Sequence, residues 1–328
     1  MKAIVYTEYG SPDVLRLNEV DKPAPKENEV LVRVYATTIN DWDLWLMNGE
    51  QFLIRAQFGL SKPKLRILGT EVAGMVEQAG GGVTRFKPGD DVYGDIAECG
   101  FGGFAEYVCV REDCLGHKPP GMTYAQAASL PHAAMLAMQG LIEAGKPKKG
   151  QSILINGAGG GVGTLGVQMV SRIGVEMTGV DSADKLDHMR SVGYDHVIDY
   201  RQTDFTKTGR HYDFILDTKS TRGAFACARA LKPGGTYATV GGIPGVLIRL
   251  LLAAPLVRLL TGKRIRIVML KPNKDLAYVN RLFEDGQLRP VLDGPFTLEQ
   301  TPEAMAQFAE ARHKGKVVIA VNAPGNTR

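Results

Sequence analysis

Ile153-Leu-Ile-Asn-Gly-Ala-Gly-Gly-Gly-Val-Gly163 is the stretch that decides the fold of this 328-residue chain. Its apolar, β-branched beginning predicts a strand that stops in a glycine-dense turn. Apolar residues at helical spacing follow, from Val162 to Ile173, so the pattern predicts a strand, a tight turn and a helix. A unit of this kind presents the N–H groups of a helix N-terminus to a pyrophosphate.

The residues predicted to bind the pyrophosphate are those of the turn itself. Compared with the pattern Gly-x-Gly-x-x-Gly, the turn has Ala158 in the first glycine position, followed by Gly160 and Gly163. Gly161 and Val162 lie between the two glycines. Glycine lets the backbone approach the phosphates and lets the helix pack closely on its strand. The alternative is a turn with a purely structural role.

Length and composition describe an ordinary globular protein with room for two domains. Hydrophobic residues make up 44% of the chain and charged residues 23%. The net charge of +4 is small and the basic residues are scattered, so we predict no nucleic-acid binding. The start, Met1–Tyr6, has the pattern of a strand and not of a targeting peptide. Four cysteines without a C-x-x-C pair indicate a reducing compartment, and we predict the cytoplasm.

One apolar segment, Ile243–Leu260, requires separate treatment. Arg249, Pro255 and Arg258 interrupt it, and its uncharged core of about eight residues is too short for a bilayer that needs roughly twenty. We therefore predict no integral membrane segment here, but a buried or partner-facing helix. A lid over the substrate site and a contact with a membrane surface are the alternatives.

The order of patterns along the chain predicts an α/β fold with two domains. Short strands separated by turns fill residues 1–120, as in an antiparallel barrel. Strands and helices alternate over residues 121–270, which predicts a doubly wound parallel sheet. The last part, residues 271–328, returns to strand character and is predicted to complete the first domain. Ala323–Arg328 is predicted to be a frayed terminus.

Eight short motifs follow one another in a characteristic order. They are Ile39–Asp43, Gly69–Gly74, Phe86–Val92, Gly103–Tyr107, Ala158–Gly163, Val192–Tyr200, Leu231–Gly235 and Lys314–Val318. Together they resemble the medium-chain dehydrogenase/reductase superfamily, specifically its zinc-independent, quinone-oxidoreductase-like branch. The resemblance implies a GroES-like β-barrel catalytic domain and a Rossmann domain, with a nicotinamide dinucleotide in the cleft between them. It also implies a homodimer formed through the edge of the Rossmann sheet.

The resemblance also predicts that no catalytic zinc is bound. Asn40, Thr70 and His132 correspond to the positions where zinc-dependent members of the superfamily carry metal ligands, with Glu71 retained beside them. Asn and Thr are poor ligands, whereas a catalytic zinc site needs three good ones. His132 is then a candidate proton donor, with a role in the wall of the cleft or as a capping residue after Pro131 as the alternative.

Asn40 and Asp43 are the other catalytic candidates, because they lie on the family's catalytic-domain motif. They are expected to orient the substrate or contact a ribose, with Asx-turn chemistry before a helix as the alternative. Without a metal, alcohol oxidation is harder, whereas quinones and α,β-unsaturated carbonyls accept hydride readily. We predict direct hydride transfer from NAD(P)H to such small molecules. The alternatives are a metal-free alcohol or aldehyde dehydrogenase, and a dinucleotide-binding redox sensor or scaffold with little turnover.

Residues near the end of the second strand of the predicted parallel sheet indicate different cofactors. Asp181 lies where a carboxylate accepts a hydrogen bond from the adenosine 2′-OH and repels a 2′-phosphate. Ser182 and Lys185 resemble the arrangement that holds this phosphate in NADPH-dependent quinone reductases. We favour NADP(H) over NAD(H), with Asp181 turned away from the phosphate.

Further cofactor contacts are predicted from the ends of other strands. Tyr200 matches a family position near the adenine. Thr218 and the segment Val240-Gly241-Gly242 follow strands whose carboxyl ends border the nicotinamide crevice in folds of this type. Lys219 and Ser220 replace the Val-Gly pair that is usual in the family.

Overall fold

The computed structural model describes residues 1–322, and the predicted frayed end, Ala323–Arg328, lies outside them. The strands are β1 (Lys2–Val5), β2 (Arg16–Glu19), β3 (Glu29–Thr38), β4 (Glu71–Ala79), β5 (Asp91–Asp95), β6 (Tyr107–Arg111), β7 (Gly116–His117), β8 (Ser152–Asn156), β9 (Glu176–Asp181), β10 (His196–Asp199), β11 (Tyr212–Asp217), β12 (Leu231–Thr239), β13 (Arg264–Ile267), β14 (Leu292–Thr297) and β15 (Lys316–Ala320). The helices are α1 (Asp41–Asn48), α2 (Phe52–Phe58), α3 (Tyr124–Ala128), α4 (Pro131–Ala137, continued by a π-helical segment Met138–Glu143), α5 (Gly161–Val170), α6 (Leu186–Val192), α7 (Ala224–Arg229), α8 (Pro244–Thr261), α9 (Leu276–Glu284) and α10 (Thr301–Ala309).

The chain folds into two compact units that divide it at other residues than expected. The first unit contains Met1–His132 and the chain from Pro272 onward, and the second contains Ala133–Lys271. The first segment thus ends at His132 and not at residue 120. The reason is that α3, although helical in composition, packs against β3 and β4 of the first unit.

The first unit is built around a seven-stranded, mostly antiparallel sheet. Its strand order is β14-β15-β3-β4-β5-β7. Strand β6 pairs with residues 29–33 of β3, and β15 pairs with residues 36–38. Alternating valines on β3, Val30, Val32 and Val34, are buried on one face of the sheet. The C-terminal strand β15 pairs antiparallel with β3 in the register Ile319↔Thr37. This long-range pairing places residues from the end of the chain beside the start of α1.

The second unit contains the predicted parallel sheet. Its six strands have the order β10-β9-β8-β11-β12-β13, and every neighbouring pair is parallel. In chain order this is 3-2-1-4-5-6, which is the doubly wound arrangement. The order reverses between β8 and β11, where ligands of such sheets bind beyond the carboxyl ends of the strands. The glycine-rich turn follows β8 at this point.

The apolar segment forms a helix that is mostly exposed, which contradicts the buried alternative and leaves the partner-facing one as a prediction. Helix α8 is the crossover from β12 to β13, and of its residues only Leu250 and Val257 are buried. By length and composition alone it is long enough and apolar enough to cross a membrane. The helix runs through all three residues that interrupt the apolar stretch, Arg249, Pro255 and Arg258. Both arginine side chains are exposed, and exposed apolar residues continue past them.

Candidate active site and cofactor site

The start of α1 is held by a buried carboxylate. Asp43 is completely buried, and its Oδ2 accepts hydrogen bonds from the backbone N–H of Asn40 at 2.9 Å and the hydroxyl of Thr70 at 3.0 Å. Its Oδ1 accepts from the N–H of Gly69 at 2.9 Å. Burial raises the pKa of Asp43 to about 6, although these hydrogen bonds and the charge of Lys316 lower it. The side chain therefore caps the helix and fixes the neighbouring loop.

A buried ion pair lies beside this cap. The Nζ of Lys316 is 2.6 Å from Glu71 Oε2 and 2.6 Å from Asn40 Oδ1. The Asn40 amide nitrogen and the Thr38 hydroxyl also donate to Glu71 Oε2, at 2.8 and 2.5 Å. Burial raises the pKa of Glu71, but the charges of Lys316 and His132 outweigh it, so the pKa lies below its ordinary value. Glu71 is therefore an ionised carboxylate in the interior.

His132 joins the same network at the first turn of α4. Its backbone N–H donates to Glu71 Oε1 at 2.7 Å, and its Nδ1 is 2.7 Å from Asp95 Oδ2. Burial lowers the pKa of His132, but the hydrogen bond and charge of Asp95, together with the charge of Glu71, raise it above its ordinary value. The structure thus brings the catalytic candidates Asn40, Asp43 and His132 into one set of buried polar contacts.

Several members of this network are not among the residues selected from the sequence. Lys316 lies within a motif that was noted without a role, and Glu71 was considered only as a companion of metal ligands. Thr38 and Asp95 gave no signal at all. The one available signal is that Lys316 begins an apolar strand, where an unpaired Lys is unfavourable. Its partners depend on the pairing of β15 with β3, which the sequence alone does not reveal.

The donor set at this position does not fit a catalytic zinc ion. Asn40 and Thr70 supply an amide and a hydroxyl, and Nδ1 of His132 is engaged with a carboxylate. The ammonium of Lys316 already neutralises Glu71. Within residues 1–322, no group of three or more His, Cys, Asp or Glu side chains is arranged to hold a metal ion.

In the second unit, the glycine-rich turn leaves open space at the start of α5. Gly160 is the N-cap of the helix, and Gly161 and Val162 form its first turn. A Cβ atom on Gly160 would meet only the carbonyl oxygen of Gly157, at 3.6 Å. Backbone N–H groups without intrahelical partners at such an N-terminus bind anions. Gly160, Gly161 and Val162 therefore lie where a pyrophosphate can approach the backbone.

Gly163 and Ala158 have a packing role in the same turn. A Cβ atom on Gly163 would lie 2.4 Å from the carbonyl oxygen of Ala158, so only glycine allows α5 to pack this closely. Ala158 itself is fully buried in the core of the second unit. Its methyl group is thus accommodated in the core, which explains the alanine in the first glycine position.

The acidic residue at the end of β9 is fully engaged inside the protein. Asp181 Oδ2 accepts from the N–H of Gly159 at 2.8 Å, and Oδ1 accepts from the N–H of Ser182 at 2.9 Å. The Nζ of Lys185 is 3.4 Å from Oδ1, and the Lys185 side chain is buried. Asp181 therefore points inward. Lys185 neutralises it and does not extend freely into solvent.

The remaining predicted cofactor residues follow the carboxyl ends of strands of the parallel sheet. Tyr200 follows β10 and is partly exposed, with the Arg201 guanidinium 5.6 Å from its ring centre. Arg201 is a basic residue that the sequence reasoning overlooked. The others are Thr218 after β11, and Val240, Gly241 and Gly242 after β12.

The ends of β11 and β12 are tied together by close backbone packing. A Cβ atom on Gly241 would lie 2.4 Å from the carbonyl oxygen of Thr218. The hydroxyl of Ser220 donates to the Gly241 carbonyl oxygen at 2.7 Å. Ser220 has a φ of 50°, a left-handed conformation that favours glycine. The serine in place of the usual family glycine therefore keeps the glycine conformation and adds a hydrogen bond.

Comparison with known proteins places the chain among dehydrogenases and reductases. Residues 26–120 match the family described as alcohol dehydrogenase GroES-like domain, and residues 192–319 match that described as zinc-binding dehydrogenase. The chain is 33% identical over 330 residues to 2-methylene-furan-3-one reductase of Solanum lycopersicum, covering 97% of this chain and 79% of the relative. It is 31% identical to the NADPH-dependent alkenal/one oxidoreductase of Arabidopsis thaliana, with the same coverage.

A solved structure agrees over nearly the whole chain. The quinone oxidoreductase from Coxiella burnetii superposes with a TM-score of 0.85 at 27% identity, covering 98% of this chain and 99% of that one. The chain belongs to the medium-chain dehydrogenase/reductase superfamily, among its quinone-oxidoreductase-like members. The predicted fold, with a GroES-like domain and a parallel-sheet Rossmann domain, is confirmed.

Proposed function

We propose that this protein is an NADP(H)-dependent oxidoreductase that reduces quinones or α,β-unsaturated carbonyl compounds without zinc. The observation that carries the proposal is the Lys316–Glu71 ion pair, with Asn40 bonded to both partners, at the position of the metal ligands of zinc-dependent relatives. A buried ammonium that neutralises the carboxylate makes a metal cation there unfavourable. The names of the relatives, which include a 2-methylene-furan-3-one reductase, an alkenal/one oxidoreductase and a quinone oxidoreductase, support the substrate class.

Each part of the chain has a distinct task in this proposal. The nicotinamide, when bound, supplies the hydride. Gly160, Gly161 and Val162 at the start of α5 bind the pyrophosphate through backbone N–H groups. Asn40 and Asp43 keep the loop around Thr70 in one conformation, and His132 holds a proton between its Nδ1 and Asp95. An acceptor that is already activated needs positioning more than acid–base chemistry.

The state of Asp181 supports the choice of NADP(H) over NAD(H). Both of its carboxylate oxygens accept hydrogen bonds from backbone N–H groups, and Lys185 balances its charge. A neutralised, inward-facing carboxylate repels a 2′-phosphate less than a free one and is a poor partner for ribose hydroxyls. Arg201 and Tyr200 at the adjacent strand end offer a cation and a ring for the adenosine 2′-phosphate.

The proposal includes a cytoplasmic location and a homodimer. All four cysteines are free thiols, in keeping with a reducing compartment. Among the strands that the structure describes, the last strand of the parallel sheet, β13, pairs only with β12, so its other edge offers backbone groups to a second copy.

The test is cofactor consumption by metal-stripped protein. NADPH and NADH are each supplied with an ortho-quinone, an alkyl enone, a saturated aldehyde and, in the reverse direction, a primary alcohol with the oxidised cofactor. We expect turnover of quinone or enone with NADPH that chelators do not reduce and added zinc does not raise. Turnover restricted to alcohol or aldehyde would favour the dehydrogenase alternative. Cofactor binding without any turnover would favour a sensor or scaffold.

A further inference from the structure

Helix α8 carries two apolar faces, and within the described residues 1–322 only one of them packs against other parts of the chain. Leu250 and Val257 are buried in the core of the second unit, with Val246 and Ala253 packed beside them. These four residues are spaced as one helical stripe. The opposite stripe is exposed to solvent: Leu252 is 74% and Leu259 82% exposed. Other exposed apolar side chains of this helix are Ile248, Leu251, Leu256 and Leu260.

The charge around this exposed face is one-sided. The sequence contains no Asp or Glu between Asp217 and Asp275, but eleven Lys or Arg residues. The prediction that the basic residues are scattered is therefore wrong for this segment, although the net charge of the whole chain is only +4. The main packing partners of α8 outside the core, α7 and β13, belong to the same acid-free segment.

Two arginines of α8 itself, Arg249 and Arg258, are exposed beside this stripe. Arg249 donates to the backbone carbonyl oxygen of Gly245 within its own helix, a contact that leaves its charge uncompensated. The exposed leucines are therefore flanked by guanidinium groups that favour an anionic surface.

We propose that α8 docks this protein on the surface of an anionic lipid bilayer. Exposed leucines enter the boundary between headgroups and acyl chains, and the flanking arginines contact anionic headgroups. A second copy of the chain suits the exposed face less well, because a two-fold contact would bring like charges together.

The geometry favours a helix that lies in the interface over one that spans the bilayer. Both ends of α8 continue into neighbouring parallel strands, β12 and β13. A spanning orientation would pull Leu250 and Val257 out of the core of the second unit. Lying flat, the helix keeps these contacts and offers only its outer stripe to lipid.

The experiment is flotation of the full chain with vesicles of phosphatidylcholine alone or of phosphatidylcholine with phosphatidylglycerol. We expect binding to the anionic vesicles that weakens as salt is added, because ions screen the arginines. The double variant Leu252→Ser/Leu259→Ser should lose most of the binding. Arg249→Gln/Arg258→Gln should lower the partition coefficient about fivefold for each arginine removed.

A matched control distinguishes this face from general stickiness. Phe52 and Leu53 on α2 are also exposed and apolar, so Phe52→Ser/Leu53→Ser should leave vesicle binding unchanged. Absence of binding to anionic vesicles, or equal binding to both kinds, would overturn the proposal. So would sedimentation velocity in which Leu252→Ser/Leu259→Ser splits a larger species into monomers without any effect on vesicle binding, since a second copy would then cover the face.

Discussion

Lys316 and Glu71 are far apart in the sequence, and each makes the burial of the other tolerable. A buried charge without a partner is costly, whereas the pair with Asn40 and Thr38 has its hydrogen bonds satisfied. At the residue scale, the sequence predicted Asn40, Asp43 and His132 as a group but not the ion pair that joins two of them. Type and spacing identify a motif, but a buried cation is explained only by a carboxylate that the fold brings to it.

Replacing Lys316 with methionine should strongly destabilise the first unit. Lys316→Met keeps most of the side-chain volume but leaves Glu71 as an uncompensated buried carboxylate, so we expect the free energy of unfolding to fall by about 3–5 kcal/mol. The measurement is urea unfolding at neutral pH. Adding Glu71→Gln should recover part of the loss. Lys314→Met, two residues away and exposed, is the control, and similar stabilities for the two methionine variants would contradict the prediction.

The contribution of His132 should depend on pH. Its pKa is raised in the folded chain, so the folded chain holds the proton more tightly than the unfolded one. The resulting stabilisation is fully present below the ordinary histidine pKa and is lost as pH rises through the raised value. His132→Gln keeps a hydrogen-bond donor but does not titrate. In unfolding experiments at about pH 5.5 and about pH 8.5, wild type should exceed the variant by more at the lower pH; a constant difference would exclude this role.

At the scale of elements, the sequence predicted the strand–turn–helix unit well. Apolar strands and helical spacing are local patterns, and they do not depend on the rest of the fold. Gly160 and Gly163, the two glycines that match the motif, have different roles that the motif does not distinguish. Gly160 borders open space, whereas Gly163 touches the backbone of Ala158.

This difference predicts opposite effects of two substitutions in one turn. Gly160→Asp places a good N-cap residue in open space, so stability should change by less than about 1 kcal/mol, while cofactor binding should weaken about a hundredfold because like charges meet. Gly163→Ala should cost about 2 kcal/mol or more through overpacking. Thermal unfolding and cofactor titration by fluorescence measure both. Unchanged cofactor affinity in Gly160→Asp would mean that the phosphates bind elsewhere.

The end of β9 gives the prediction for cofactor choice. Lys185→Met leaves the charge of Asp181 uncompensated, so we expect the KM for NADPH to rise about tenfold and that for NADH to change little, because only NADPH carries the 2′-phosphate. The double variant Asp181→Asn/Lys185→Met removes both charges and should restore NADPH use. It also separates this effect from loss of folding. Equal losses for both cofactors would contradict the role.

At the scale of the whole molecule, the sequence predicted both compact units but not where one passes into the other. Helical composition from Tyr124 onward suggested the second unit, whereas α3 packs on the first. The sequence also left the exposure of α8 open, because it predicted either a buried or a partner-facing helix. Apolar composition shows that burial of a segment away from water is favourable. It does not show whether the same chain supplies enough surface to cover that segment.

In the proposed dimer, the edge of β13 that pairs with no other described strand would set how the two copies of α8 are arranged. Antiparallel pairing of two identical edge strands places the two-fold axis perpendicular to the sheet, and a rotation about that axis keeps each face of the sheet on its own side. Both copies of α8 would then lie on one side of a continuous twelve-stranded sheet. A dimer of this kind would contact a lipid surface through both copies of α8 at once. The bound dimer would then stay on the surface longer than one copy could, even if each single contact is weak.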